Sequence, residues 1–404
     1  KATPTITWSN PANIVYGTAL SGSQLNATAS VPGTFNYSPA AGTVLGAGPQ
    51  TLEVTFTPDD ASNYNGASAN VTLSVTKAAS TISWSNPANI VYGTALSGSQ
   101  LNATANVPGT FNYSPAAGTV LGAGPRTLEV TFTPDDAANY NGASANVSLT
   151  VTKAASTITW SNPAGIVYGT PLSGTQLNAT ANVPGSFAYS WAAGTVLGAG
   201  TQNLSVTFTP TDEANYNLST ASVSIAISPK ALSVQTDNAS KVYGEALPAF
   251  TASGSGFVNG DSMASLSGTL TFTTSATATS APGSYSVTPS GVSSANYTIT
   301  FAAGTLTVNK ASTSLTFTTT PNPSNNNQTV QLRAVVAAVA PGAGTATGTV
   351  EFRENGTLLG TATLVNGVAT MNKNFKRGTH PLTATYAGNT NFTGSSGSVT
   401  HQTQ

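Results

Sequence analysis

The sequence predicts an all-β protein built from small sandwich modules in tandem. Three observations carry this: a 76-residue period, short alternating strand signals between Gly/Pro turns, and no segment of helical period. Trp8, Trp84 and Trp160 set the period, each inside one recurring phrase that begins TITWSNPANIVYGTALSG in the first repeat. The first two repeats differ at eight positions, of which only Gln50/Arg126 changes charge.

Within the first repeat, TITW, IVY, QLNATA, TFNYS, TLEVTF and NVTLSV read as strands. Pro11, Gly17, Gly22, Pro32-Gly33, Gly42, Gly46-Ala47-Gly48 and Pro58-Asp59 punctuate them. Alternation sends Leu52, Val54 and Phe56 to the core. Pro4, Pro11 and Pro39 interrupt the expected edges, and the three tryptophans are expected to pack in the core or at strand ends. The junction VTLSVTKAASTISW has neither Gly nor Pro, so the last strand of one repeat hands over almost directly to the next. Five modules follow: 1–76, 77–152, 153–229, 230–309 and 310–404. The fourth opens near Lys230 and keeps Tyr243-Gly244, Asn296-Tyr297 and a closing LTVNKA. The fifth is a different but related pattern. The expectation is five tandem immunoglobulin-like β-sandwich modules forming an extended rod.

Charged residues make up 6% of the 404, and the net charge is −1. Nucleic acid and anionic membrane are therefore not expected as main partners. Without cysteine there are no disulfides or thiolate metal sites. No apolar run approaches the ~18–20 residues of a membrane helix, so no membrane insertion is expected in this segment. No signal peptide opens the chain, and Lys1 falls at a repeat boundary; the sequence reads as an excerpt of something longer. Residues 1–309 carry six basic and eleven acidic side chains, and residues 310–404 six and two.

Asp59-Asp60, Asp135-Asp136 and Asp212-Glu213 are candidate metal ligands. Two acids per loop fall short of the six to eight oxygens calcium takes, and a Pro-Asp turn with the following Tyr packed back is the simpler reading. No catalytic constellation emerges: His380 and His401 have no motif that implies a serine–acid partner, and the paired acids sit on surface turns rather than across a cleft. The boundary lysines Lys1, Lys77 and Lys153 read as solvated. Trp191 replaces Pro39 and Pro115 of the sister repeats in a turn and is a candidate carbohydrate contact. No cofactor is implied.

The phrase W-x-x-P-A-x-I-x-Y-G-T, then F-T-P-x-D-x-x-x-Y and a terminal V-x-K-A, resembles the MBG family of bacterial Ig-like repeats. Residues 230–309 resemble its YGX type through KVYGEALP and SSANYTITFAAGTLTVNKA. Residues 310–404 are similar to group 3 bacterial Ig-like domains through GTVEFRENGTLLGTATL and GTHPLTATYAGNTNFTGSS, with Asn389 where that pattern often has Asp. The resemblance implies a secreted or cell-surface bacterial protein and a non-enzymatic spacer: an adhesin stalk or filament segment. The alternative it leaves open is a carbohydrate-binding array that contacts a surface glycan. The expected partners are neighbouring modules of the chain, with head-to-tail or lateral self-association at exposed edges.

A strand of ~6 residues is ~20 Å long, and with loops a module is ~35–40 Å. Small-angle scattering is expected to give a radius of gyration near ~50 Å, against ~21–22 Å for a compact chain of this length.

Overall fold

The computed structural model describes residues 1–404, which are β throughout except for one 3-10 turn at Met263–Ser265. It resolves into two compact units. The first comprises Lys1–Trp160, Ala179–Ala188 and Val206–Ala221; the second comprises Ser161–Asn178, Tyr189–Ser205 and Ser222–Gln404.

In the first unit, each of the first two repeats is organised by one four-stranded sheet. In repeat one the order is Ile14–Val15, Ala67–Thr76, Gly48–Pro58, Gly33–Ser38. The two long strands pair antiparallel from Gly48↔Val75 to Phe56↔Ala67, while Ile14 joins the far edge parallel to Val75. Alternation along Gly48–Pro58 buries Leu52, Val54 and Phe56 to 0–1% exposure, as the pattern requires. Leu52 packs with Ile14, Leu20 and Leu25 from the first half of the repeat, together with Trp8 and Tyr37. The Trp8 indole N–H donates to the Gln24 carbonyl at 3.0 Å and the ring stands edge-on to Tyr37, so the tryptophan closes the core. Repeat two reproduces this core with Leu128, Leu149, Trp84 and Tyr113.

The first half of each repeat is less regular than its sequence suggests. TITW contributes only Ile6–Thr7, and QLNATA only Thr28–Ala29, which pair with each other. Gln24 is the reason. Its side-chain oxygen accepts from the Ser21 N–H and hydroxyl, folding SGSQ into a turn that carries Leu25 into the core.

In the second unit, residues 230–309 form two sheets. One is Ala252–Ser255, Lys230–Thr236, Tyr297–Ala302; the other is Ala239–Val242, Gly304–Asn309, Gly283–Ser293, Ser267–Thr274. Residues 310–404 also form two sheets, around a larger core that includes Phe317, Leu332, Phe352, Leu382 and Tyr386.

Gly33 shows how tightly the edge strand is fitted. A Cβ there would overlap the Thr57 carbonyl and the Phe56 ring, and Gly109 and Gly185 meet the same two obstacles in their own repeats. Forcing a methyl group into such a site costs about 1–3 kcal/mol. Gly33→Ala is therefore expected to lower the first denaturation transition of the chain, whereas Gly22→Ala, with open space around it, is expected to leave it in place.

Candidate functional site

The features that recur in every module lie where consecutive modules meet. At the end of repeat one, Thr76 closes the last strand, Lys77 follows, and Ala78–Ala79 already form the first strand of repeat two. Ala78 N–H donates to the Asn139 carbonyl at 2.9 Å. The same asparagine then reaches back: its side-chain oxygen accepts from Ala47 N–H of the preceding repeat at 2.7 Å. Next to it, Tyr140 meets Tyr16 of the preceding repeat edge to face, with centroids 5.4 Å apart. Ala47 lies in the Gly-Ala-Gly loop and Tyr16 in the Tyr-Gly-Thr loop.

The arrangement repeats. Ala123 donates to Asn215 at 2.7 Å, and Tyr92 meets Tyr216 at 5.4 Å. Within the second unit, Ala199 donates to Asn296 at 2.9 Å, and Tyr168 meets Tyr297 at 5.3 Å. There the contact is reinforced. Both phenol hydroxyls donate to Asp261 Oδ2 at 2.8 Å, and Val258 packs over Gly169. Burial pushes both phenols above their ordinary range.

The aspartate loops act on this contact. Asp136 Oδ2 accepts the Asn139 side-chain N–H at 2.9 Å, and Asp136 Oδ1 accepts the Asn139 backbone N–H at 3.2 Å. Asp60 and Asp212 hold Asn63 and Asn215 in the same way. A carboxylate accepts and cannot donate, so it fixes the amide with its nitrogen inward and its oxygen toward the neighbour. Asp59 and Asp135 stand outside this arrangement. Glu213 is one position later than its supposed counterparts: Thr211 matches Asp59, and Asp212 matches Asp60. Nowhere do three or more His, Cys, Asp or Glu side chains gather as a metal site would need.

The boundary lysines are not simply solvated. Lys77 Nζ donates to the Ala137 carbonyl at 2.6 Å, Lys153 to Glu213 O at 2.5 Å and Lys310 to Asn389 O at 2.7 Å. Each ties the start of a module to its own Asn-bearing loop.

The contact between the fourth and fifth modules keeps the rings and loses the amide bond. Tyr243 meets Phe392 at 5.3 Å, and Ala343 N–H donates to the Tyr243 carbonyl at 3.3 Å. Asn389 takes over only the backbone part of the aspartate's work, its Oδ1 accepting from Asn391 N–H and Phe392 N–H. Asn391 Oδ1, however, is buried without a partner. Sheet register gives the reason. Gly48 pairs with Val75 in LSVTKA, and Gly283 pairs with Val308 in LTVNKA. The residue in register with Ala47 is therefore Pro282, which has no N–H to give.

Two polar clusters were not visible in the sequence. Lys241 is 3% exposed, its amine directed at the carbonyls of Val242, Glu245 and Ala278, and burial holds it below the ordinary lysine range. In residues 310–404, His401 is 0% exposed. Its Nε2 lies 2.9 Å from Ser324 Oγ and its Nδ1 3.3 Å from Thr319 Oγ1. No carboxylate backs the ring and Ser324 is itself buried, so the pair is a sealed structural contact rather than a nucleophile with its base. His380 bridges Glu354 Oε1 at 2.6 Å and the Lys376 carbonyl at 2.7 Å. Trp191, two residues beyond Gly185–Tyr189, is 43% exposed.

Residues 232–307 match the family model of the MBG domain (YGX type), and residues 315–404 that of the bacterial Ig-like domain (group 3). The two matched stretches follow one another along the chain, the MBG-type match first and the bacterial Ig-like match second. Both matches fall inside the 230–309 and 310–404 segments read from the sequence. Comparison with curated proteins returns no match. Among solved structures the chain is similar to Sidekick-1 immunoglobulin domains 1–5, at 12% identity over 99% of this chain and 98% of that one, TM-score 0.21. It is also similar to the Escherichia coli adhesin FdeC, at 13% identity over 93% and 98%, TM-score 0.20. A third is the Yersinia pseudotuberculosis adhesin InvE, at 14% over 50% and 55%, TM-score 0.19. No helix is long and apolar enough to cross a membrane.

Burial, and then the nearby His380, hold His401 below the ordinary histidine range. The unfolded chain therefore takes up this proton first as pH falls. Stability of the 310–404 module is expected to decline as pH drops from about 6.5 through the depressed folded value, and then to level off. Calorimetry at pH 7 and pH 5 reads this, and His401→Gln is expected to remove most of the difference.

Proposed function

We propose that this chain is a non-enzymatic spacer from a bacterial extracellular surface protein of the adhesin type, and that its modules serve to clamp their neighbours at the shared junctions. The observation that carries the reading is the recurring clamp: an aspartate-oriented asparagine, a backbone N–H of the preceding module and an edge-to-face ring pair. The low charge of the chain agrees with it. The two family matches, to an MBG domain and to a bacterial Ig-like domain, support the reading.

Magnitudes fit a spacer. A net hydrogen bond contributes about 0.5–1.5 kcal/mol and an aromatic pair a similar amount. Together they favour the docked arrangement by about 1–3 kcal/mol, roughly 5–150-fold. That suffices to bias modules already joined by one residue, and it leaves room for bending under load.

Hydrogen exchange tests the clamp in both directions. Asn139→Ala is expected to speed exchange of the Ala47 amide about fivefold while leaving Ala123 unchanged. Pro282→Ala restores the missing donor opposite Asn391, and the amide it creates is expected to exchange as slowly as that of Ala47. Equal exchange at Ala47 with and without Asn139 would show that the modules are not clamped.

A further inference from the structure

We infer that the outer sheet face of the third repeat, at Trp191, is a contact site for a neutral, β-linked pyranose chain. The two sister repeats show how this face is built. In repeat one Ser38 pairs with Glu53 and Glu53 with Asn70, so the three side chains form one exposed row across the sheet. That row lines a surface groove of about 380 Å³. Glu129 and Asn146 line its counterpart in repeat two, of about 260 Å³. Pro39 and Pro115 follow the serine of the row in each. In repeat three this face changes as a group. Ser205 stands in place of the glutamate, Ser222 in place of the asparagine and Trp191 in place of the proline, beside the retained Ser190. These four residues are exposed and lie within the second unit. The Ser190 N–H donates to the Ser205 carbonyl at 2.9 Å, and the Ser190 Oγ accepts from the Ser205 N–H at 3.1 Å, so these two serines remain cross-strand neighbours. The clamp positions are untouched by the change: Tyr168, Ala199, Asp212 and Asn215 keep the identities found in the sister repeats.

The substitutions all act in one direction. A carboxylate and an amide give way to two short hydroxyls, which removes the charge of the row and lowers its floor. A large flat ring arrives at its rim. A single exposed apolar residue is ordinary on a protein surface, but this tryptophan differs from those of the cores. Trp8 and Trp84 are half-buried and donate their indole N–H to the Gln24 and Gln100 carbonyls at 3.0 and 3.1 Å, whereas Trp191 is 43% exposed. An indole offers an apolar face with a polar N–H at its edge. Its complement has a flat apolar face, polar groups around the rim to meet the serine hydroxyls, and no net charge. A pyranose whose ring substituents are all equatorial has this form: its axial C–H bonds make the two faces and its hydroxyls point outward. A β-1,4-linked chain of such rings is a flat ribbon that continues from the indole along the serines. An acidic polymer fits less well, because the row holds no cation to meet it.

The probe is cellohexaose, added to the whole chain with its four tryptophans replaced by 5-fluorotryptophan. In fluorine NMR the signal missing from Trp191→Pro is that of Trp191. Proline stands at this position in repeats one and two, so the fold accommodates the variant. Cellohexaose is expected to shift the Trp191 signal with half-saturation at roughly 1–10 mM, the weak affinity of a single stacking platform, and to leave the other three signals in place. Ser205→Glu restores the sister carboxylate and is expected to raise that concentration about threefold or more. No shift of the Trp191 signal up to about 50 mM cellohexaose overturns the inference. So does an equal shift of all four signals, or half-saturation unchanged by Ser205→Glu, which would leave the indole acting without the row. A stronger response to hexagalacturonate overturns the neutral ligand. The spacer reading is tested separately, by exchange of the Ala47 amide in the clamp.

Discussion

An asparagine side chain is a donor at one end and an acceptor at the other, and the two ends are nearly the same shape. What this protein does with its recurring Asn-Tyr step depends on which end faces the neighbour. In the first three repeats a carboxylate settles the matter by accepting from the nitrogen, which leaves only the oxygen to meet the preceding module. The consequence is directional. Each repeat presents an acceptor at its entry and a backbone donor at its exit, so like ends do not pair. A short strand handover brings the two complementary ends together in the one orientation in which both the amide bond and the ring pair form.

That polarity bears on a hazard of near-identical tandem modules, which can exchange strands or pair edges while folding. With so few charges, the usual protection by lysine on edge strands is scarce. The first two repeats rely on geometry. The strand Ile14–Val15 is two residues long and pairs parallel with Val75–Thr76, so it offers little length to a competing strand. The opposite edge, Gly33–Ser38, runs into Pro39, and in repeat two Gly109–Ser114 runs into Pro115. Its glycine admits no side chain against the Phe56 ring. Repeat three departs here: its edge strand ends at Tyr189, and Trp191 takes the proline position.

Much of the fold was legible because burial and alternation are local. Leu52, Val54 and Phe56 declare a half-buried strand with no knowledge of what covers them. TITW and QLNATA carried the same kind of signal and misled, because Trp8 donates to the Gln24 carbonyl and Gln24 spends its side chain on a turn with Ser21 in its own loop. The clamp was half legible. Tyr-Gly and Asn-Tyr stood out as recurring steps, but the partners of each contact lie in different repeats, with 92 residues between Ala47 and Asn139 and 97 between Ala199 and Asn296. A pattern that recurs within a repeat cannot say that it is read across two. The aspartates suggested a cation because carboxylates in pairs suggest one, and only the geometry shows Asp60, Asp136 and Asp212 occupied by their own loops. Lys241 and His401 were unreadable for a related reason: the groups that satisfy Lys241 are backbone carbonyls, and the hydroxyls around His401 come from residues 77 and 82 positions away.

The contact between the fourth and fifth modules shows what the clamp tolerates. Its ring pair survives the change of module type, with Phe392 in place of tyrosine and the same separation of centroids. Its amide bond does not: the position in register with Ala47 is Pro282, which has no N–H, and Asn391 Oδ1 is buried and unpaired. An unsatisfied buried acceptor costs about 1–3 kcal/mol, which is comparable to what the whole clamp contributes. The ring pair and the Ala343 bond to Tyr243 therefore have to offset the loss there. It follows that the two halves of the clamp are separable. The aromatic contact is non-directional enough to survive replacement of the module beside it. The asparagine bond needs a particular N–H, and it is kept where the sequence keeps alanine between two glycines.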